Sequence, residues 1–466
     1  MTPYKGTPVP PPIPVRPRSM VRIDTEPEPT SRTVRSALVG RGDALTTLRE
    51  VTARALEFQA PQLVTIVGNQ GTGKTRLINE LIGELRSGGS PTGNAIAGQG
   101  GQKWRVFTGA AERDGTGKPV RHAAIASLLR TRFELTPIPD DTSKLRFQHE
   151  IRSVMSSDQV SEMLHFLGAF VGLDFPPTAF LRAVTESIKQ HQELARTALR
   201  RFIELDATQG PLVLVLDDLQ WADDETLAII TDLATNLGGS PVVLLAALRP
   251  EMLVRSAGWG EAAVDHTRID LRNLEADDAE QMFRNLLAKC RDVPEDTVQN
   301  AVEMTGGNPA FLEQLVRLFM DNGTLDSSGS VWRLDPDRAA ETELPISIEE
   351  AIEARVAALE NDERDLLEKA AVFGNVFWVS AVIAMTRLET QLQEPAPGPL
   401  ELEWGNGAAV RRRVSDLIAG LAERDYVLRL EVDDSSIPGE DEVVFKHNLE
   451  RELIARSTET GRLARY

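Results

Sequence analysis

One cysteine, Cys290, is all that the 466 residues hold. That excludes an intramolecular disulfide framework and any cysteine-built zinc site. Within "EQMFRNLLAKCRDV" it reads as a small apolar side chain on a helix. Histidine is sparse too: His122, His149, His165, His191, His266 and His447 are scattered without ligand spacing, so a histidine-held metal is not expected. Long apolar runs are missing, and nothing approaches the roughly 20 residues that a bilayer crossing requires. The N-terminus has neither the apolar core nor the small-residue cleavage site of a secretory signal, so the sequence predicts a cytoplasmic protein with no membrane partner. Positive charge is short as well: 51 Lys and Arg face 70 Asp and Glu, a net charge of −19. General nucleic-acid and anionic-membrane binders need a cationic face, so nucleic acid is not the favoured partner, although a local basic patch stays compatible.

What is present is an ordinary globular composition, 41% hydrophobic and 26% charged, in a chain long enough for two to four domains. Residues 1–35 are proline-rich and patternless, which predicts an extended or disordered tail; "PVPPPIPVRPR" also fits docking on an aromatic groove. From Ser36 the pattern alternates. "SALVGRGDALTTLREVTARAL" is helical, "QLVTIVG", "WRVFTGA", "PLVLVLDD", "SPVVLLAALRP" and "TRIDLRNL" are strands, and residues 120–206 are mostly helical. The Gly-rich "RSGGSPTGNAIAGQGGQK" reads as a mobile loop. Strands alternating with helices predict an α/β core with a three-layer, mostly parallel sheet over 36–270. A small helical lid follows at 271–343. Helices with a short β-hairpin at 344–458 predict a winged helix, with residues 459–466 as the C-terminal end. No repeat of 20–50 residues is visible.

"GNQGTGKT", Gly68–Thr75, matches the phosphate-loop pattern GxxxxGK followed by Ser or Thr, between a strand and a helix as that motif requires. Gly68, Asn69, Gln70, Gly71, Thr72 and Gly73 let backbone N–H groups turn inward around a phosphate, and the helix N-terminus adds a favourable dipole. Lys74 supplies charge to the β- and γ-phosphates, Thr75 a hydroxyl to magnesium, and Arg76 lies at the start of the helix. "DGTGKP" at 114–119 is a decoy: Glu112 stands where the first glycine belongs, Pro119 where the hydroxyl belongs, and it reads as a turn. "LDDLQWADDET" ends the strand "PLVLV" in acids. Asp217 is placed to approach magnesium and Asp218 to orient or polarise the attacking water. Asp223 is expected to cap the helix that starts at Asp224, with Asp224 and Glu225 as first-turn acids and Trp221 packing the turn between the two groups. Arg249 sits where a strand end delivers a γ-phosphate sensor.

Taken in order, these motifs resemble the STAND class of P-loop ATPases (signal transduction ATPases with numerous domains), and among them bacterial regulators with an AAA/Orc1-like ATPase domain, a lid and a winged helix. The resemblance covers about 36–458. "ALVGRGDAL" looks like the class's entry motif, which places Val39, Gly40 and Arg41 near adenine; Gly42 departs from the usual acid there. "LVLVLDDLQWADDETL" matches the acidic strand motif, and "LLAALRPE" the sensor strand, with Leu248 in place of the usual Thr or Tyr. "GGNPAFLEQL" is similar to the lid motif, which implies that Pro309 packs on adenine. "FKHNLEREL" is similar to the winged-helix motif, which implies that His447 touches the β-phosphate of ADP; Asn448 departs from the usual acid. Members of the class commonly continue into helical repeats. This sequence ends at "STETGRLARY", leaving a truncated regulator, a fragment and a protein paired with a separate sensor as open alternatives.

The resemblance implies an ATP/ADP switch with Mg2+, slow hydrolysis and partner binding or self-association. Two readings from other classes stay beside it. One is a DNA-remodelling, initiator-like or helicase-like ATPase using the winged helix and Arg411, Arg412 and Arg413. The other is a nucleotide-binding scaffold without turnover.

Overall fold

In the computed structural model, the structure describes residues 36–87, 103–114, 117–136, 140–155, 159–178, 181, 188–341, 347–393, 407–430 and 440–458. The expectations for the proline-rich tail, for most of the Gly-rich loop and for the last eight residues lie outside these.

Five parallel strands form the central sheet: β1 (Gln62–Gly68), β2 (Arg105–Ala110), β3 (Leu212–Asp217), β4 (Val242–Leu248) and β5 (His266–Leu271), in the order β2-β3-β4-β1-β5. Successive side chains of a strand point to opposite faces, and here both faces are apolar. Leu212, Leu214 and Leu216 join one buried cluster with Leu244, Ala246 and Leu248. Val213 and Val215 join another with Val243, Leu245 and Ala247. Helices Gly42–Phe58 and Lys74–Ser87 cover the second face, and helices from Ala123–Phe133 to Asp224–Asn236 cover the first. Burial of β1, β3 and β4 between two helical layers is why these central strands read as continuous apolar runs rather than alternating ones, while the edge strand β5 alternates and is partly exposed. The order puts the ends of β1, β3 and β4 side by side at one edge.

A separate buried cluster follows in helices Ala276–Leu286, Glu295–Thr305 and Pro309–Asp321, with the short ladder of β6 (Leu325–Asp326) and β7 (Arg333–Leu334). Cys290 departs from the sequence expectation: the helix stops at Leu286, and Cys290 lies past it, bridged in parallel to Trp332. The cause is tertiary. Trp332 N–H donates to the Lys289 carbonyl at 2.9 Å, and Cys290 N–H closes a turn on Leu287 at 2.8 Å. Burial pushes the Cys290 thiol up to about 11.

The last part packs helices Asn361–Phe373, Val379–Gln393, Gly407–Glu423 and Asn448–Ser457 around a third core with an antiparallel sheet, β8-β10-β9. β9 (Val427–Arg429) and β10 (Glu442–Phe445) are the expected hairpin; β8 (Val376–Trp378) adds a third strand that the pattern did not announce. No helix among the described residues is long and apolar enough to cross a membrane.

Candidate functional site

The loop between β1 and helix Lys74–Ser87 wraps around its own lysine. Lys74 Nζ donates to the carbonyl oxygens of Gly68 at 2.9 Å and Asn69 at 3.1 Å. Gly71 and Gly73 have φ of +80° and +91°, a region that glycine enters without steric cost. Lys74 is buried, and that burial lowers its pKa while the charges of Asp217 and Asp218 oppose the shift. Thr75 Oγ1 donates to Asp217 Oδ2 at 2.9 Å, joining the loop to the end of β3. Arg76 is exposed and pairs with Glu80 at 3.5 Å.

The two acids differ. Asp217 is pushed up to about 6, first by burial and then by Asp218; the Thr75 hydroxyl, the Asp218 N–H and Lys74 hold it back only partly. Asp218 sits at φ +54°, a left-handed conformation that Asp tolerates better than most residues. Its Oδ1 accepts from Gln220 Nε2 at 2.7 Å, and Gln220 Oε1 accepts the Arg249 N–H at 3.2 Å. One buried amide therefore ties the end of β3 to the end of β4. Arg255 adds a second tie through the carbonyls of Gln220 at 3.3 Å and Ala222 at 2.8 Å.

Asp223 caps helix Asp224–Asn236, accepting from Thr226 N–H at 3.1 Å, and it also accepts the His122 N–H at 2.8 Å. Burial alone would raise its pKa; the Thr226 and His122 hydrogen bonds hold it below the usual value. Glu225 pairs with Arg196 at 2.8 Å. Two guanidinium groups lie over the Trp221 ring, Arg113 at 3.2 Å and Arg249 at 5.4 Å from its centroid.

The entry motif and the lid meet at the same loop. Arg41 donates to the carbonyls of Thr72 at 3.2 Å and Arg272 at 2.5 Å, bracing the loop against the chain leaving β5. Burial lowers its pKa and Asp278 opposes this. Gly40 has φ +64°, and a Cβ there would lie 2.4 Å from Asp278 Oδ2. Val39 packs on the lid cluster. Pro309 is the first residue of its helix, where a missing N–H costs nothing. Its neighbours make the contacts: Asn308 Nδ2 donates to the Gln70 carbonyl at 3.0 Å, and Ala310 N–H to the Gly71 carbonyl at 3.2 Å.

His447 is placed differently. Its surroundings are Arg317, Lys446 and Arg355, which with burial hold its pKa well below the usual value, and its Nε2 is shielded without a hydrogen-bond partner among the described residues. The charges that act on it belong to the lid and the C-terminal part, not to the phosphate loop. Sequence reasoning missed Asn308, Gln220 and Arg113. Asn308 had a signal, a capping residue before proline; Gln220 and Arg113 carried none, since their contacts with Asp218, Arg249 and Trp221 are set by the packing of the strand ends.

Residues 37–245, which hold the loop after β1 and strands β1, β2 and β3, match the family model described as AAA ATPase domain. An uncharacterized protein of Rhizobium meliloti (strain 1021) is 23% identical over 418 residues, covering 90% of this chain and 35% of that protein. The chain thus spans about a third of the length of that curated relative. Among solved structures, the Aeropyrum pernix Orc1 protein in complex with DNA is 15% identical, covering 92% of this chain and 96% of that one, with a TM-score of 0.37. Cdc6p of Pyrobaculum aerophilum is 12% identical, with the same coverage and a TM-score of 0.37.

Proposed function

We propose that this chain is an ATP-dependent molecular switch in which the bound nucleotide biases the docking of the C-terminal part, with slow hydrolysis as the reset. The observation that carries this is helix Pro309–Asp321. At its start, Asn308 and Ala310 hold two carbonyls of the phosphate loop. Along one face, Gln314 donates to Glu450 Oε1 at 2.8 Å and Arg317 to Asp425 Oδ2 at 3.0 Å, while Asp321 accepts from Arg355 at 2.9 Å. One helix is bonded to the nucleotide loop and to the domain that we read as a winged helix. A change in the loop therefore alters the affinity of that helix for its partners, which is the requirement for a two-state switch.

Within this reading, the loop N–H groups and Lys74 hold the phosphates, with Lys74 exchanging the two carbonyls for phosphate oxygens. The Thr75 hydroxyl and Asp217 fit a divalent cation: both are hard oxygen donors, and the pKa of Asp217 is raised first by burial and then by the charge of Asp218, both of which a cation offsets. A magnesium ion held by these two groups would supply charge neutralisation to the phosphates. Asp218, held by Gln220, orients water, and Arg249 meets the γ-phosphate. Val39, Gly40, Arg41 and Pro309 form the base side, Arg41 through its brace on Thr72. His447 acts through the lid junction, sensing whether the C-terminal part is docked rather than touching phosphate.

Nucleotide analysis of purified protein, with Lys74→Ala beside it, tests the reading. Bound ADP in the wild type, absent in the variant, is expected; a variant binding ATP with wild-type affinity sinks it. DNA remodelling stays second. Arg413 is engaged by Asp362, while Arg411 and Arg412 are exposed on helix Gly407–Glu423. A salt-dependent shift of duplex DNA would favour that reading. Phosphate release at background in the wild type with every partner tried, and equal to Asp218→Asn, would favour the scaffold.

A further inference from the structure

Arg113 and Arg249 leave β2 and β4, the two neighbours of β3, and both guanidinium groups lie against the ring of Trp221 just beyond β3. Neither guanidinium group makes a hydrogen bond or an ion pair among the described residues, although the Arg249 backbone N–H donates to Gln220. Arg255, close by, is bonded to the carbonyls of Gln220 and Ala222 and holds the turn. Arg456 of helix Asn448–Ser457 brings a further cation toward Arg113. An aromatic face attracts each guanidinium, but it does not remove the repulsion between them. Cations gathered at the C-terminal edge of a parallel sheet, beside a phosphate loop, are arranged for an anion.

One anion of this chain is already in that field. Glu452 lies 4.0 Å from its neighbour Arg451 and also interacts electrostatically with Asp218, Arg249 and Arg456; its pKa is raised first by burial and then by Asp218. Its helix is held in place independently of these charges. Leu449 and Leu453 pack with Ala310 and Phe311, next to the lid residues that hold the phosphate loop. Glu450 pairs with Arg355 at 2.6 Å, both side chains being fully buried.

We propose that Arg113 and Arg249, presented on Trp221, form a two-arginine site for the terminal phosphate of a nucleoside triphosphate, and that Glu452 is the carboxylate with which that phosphate competes. The inference rests on the nucleotide reading above. It adds Arg113, which no motif assigns, and it gives a reason for a diphosphate-selective resting arrangement. A diphosphate leaves Glu452 among the arginines. A triphosphate brings negative charge to the same place, and the two anions repel until the last helix moves.

The test is calorimetric titration of the full chain with ADP and with AMP-PNP, each with Mg2+. Arg113→Gln changes an exposed side chain and leaves the core intact. It is expected to weaken AMP-PNP about tenfold, the loss of one charged hydrogen-bond donor, with ADP unchanged. Glu452→Gln is expected to tighten AMP-PNP relative to ADP. Equal effects of Arg113→Gln on both nucleotides, or none on either, overturn the inference while nucleotide binding stands. A Lys74→Ala variant that binds both as the wild type does overturns the nucleotide reading, and this inference with it.

Discussion

Asn308 Nδ2 donates to the backbone carbonyl of Gln70 at 3.0 Å, joining positions 238 residues apart. The same side chain caps its own helix, Oδ1 accepting from Ala310 N–H at 3.1 Å and Phe311 N–H at 3.3 Å. One amide thus starts the lid helix and clamps the phosphate loop, so the two cannot shift independently.

The cap and the clamp are separable. Asn308→Asp keeps an acceptor for the helix and loses the donor to Gln70; Asn308→Ala loses both. Urea unfolding should show a loss of about 1 kcal/mol for Ala and little for Asp. ADP affinity should fall in both. Unchanged ADP affinity in Asn308→Asp would mean that the clamp does not act on the nucleotide.

Gly71 meets Asn308 from the other side. A Cβ there would lie 2.4 Å from Asn308 Oδ1, at a φ of +80° that L side chains rarely adopt. Gly71→Ala is expected to displace the lid helix N-terminus. Hydrogen exchange should rise at residues 309–312, and nucleotide affinity should fall. Wild-type protection at the helix start would contradict this.

Gln220 should matter for turnover more than for binding. Gln220→Ala frees Asp218 Oδ1 and the Arg249 N–H while leaving Lys74 and the loop untouched. Phosphate release is expected to drop at least about tenfold, short of the ~10²-fold or greater loss expected for Asp218→Asn. ADP affinity should stay at the wild-type value. Equal losses in kcat and ADP affinity would show that Gln220 only supports the fold.

The lid junction should loosen in acid. His447 has a folded pKa well below its usual value, held there by burial and by Arg317, Lys446 and Arg355. Carboxylates surround these cations: Asp425 is bonded to Arg317 and Lys446, Glu313 lies 3.8 Å from Arg317, and Glu450 and Asp321 are bonded to Arg355. A histidine kept neutral in the fold contributes full stability above its unfolded pKa of about 6.5, and that contribution is lost as pH falls below it. The drop in Tm between pH 7.5 and pH 5.5 should therefore shrink in His447→Gln. An unchanged drop would assign the acid sensitivity to the carboxylates.

Glu450→Ala should destabilise the junction strongly. It leaves Arg355, fully buried, with Asp321 as its one carboxylate ion-pair partner among the described residues. Breaking a buried ion pair in this way costs about 3–5 kcal/mol. Differential scanning calorimetry should show the C-terminal part melting apart from the ATPase domain. A single transition at the wild-type temperature would argue against a load on this pair.

All five strands of the main sheet and the cap at Asp223 were legible in the sequence because their causes are local. A run such as "LVLVL" is apolar on both faces whatever surrounds it, and a carboxylate at a helix start meets N–H groups within three residues. The placement of Lys74 and Thr75 after the β1 loop, and of Asp217 at the end of β3, was legible because the glycine-rich pattern between a strand and a helix fixes its own backbone. Cys290 was not, since its helix ends where Trp332 draws the chain away. His447 was expected at phosphate, and its surroundings turned out to be the cations of the lid junction. Nothing within ten residues of it encodes Arg317 or Arg355.

The sequence by itself determined an α/β sheet with a phosphate loop and acids at a strand end, because each rests on spacing and on chemistry within a few residues. Only the tertiary structure decided which side chains meet: Asn308 on Gln70, Arg113 and Arg249 on Trp221, Glu450 under Arg355. Those pairings join segments far apart in the chain, and they depend on how buried surfaces pack rather than on what any one segment prefers.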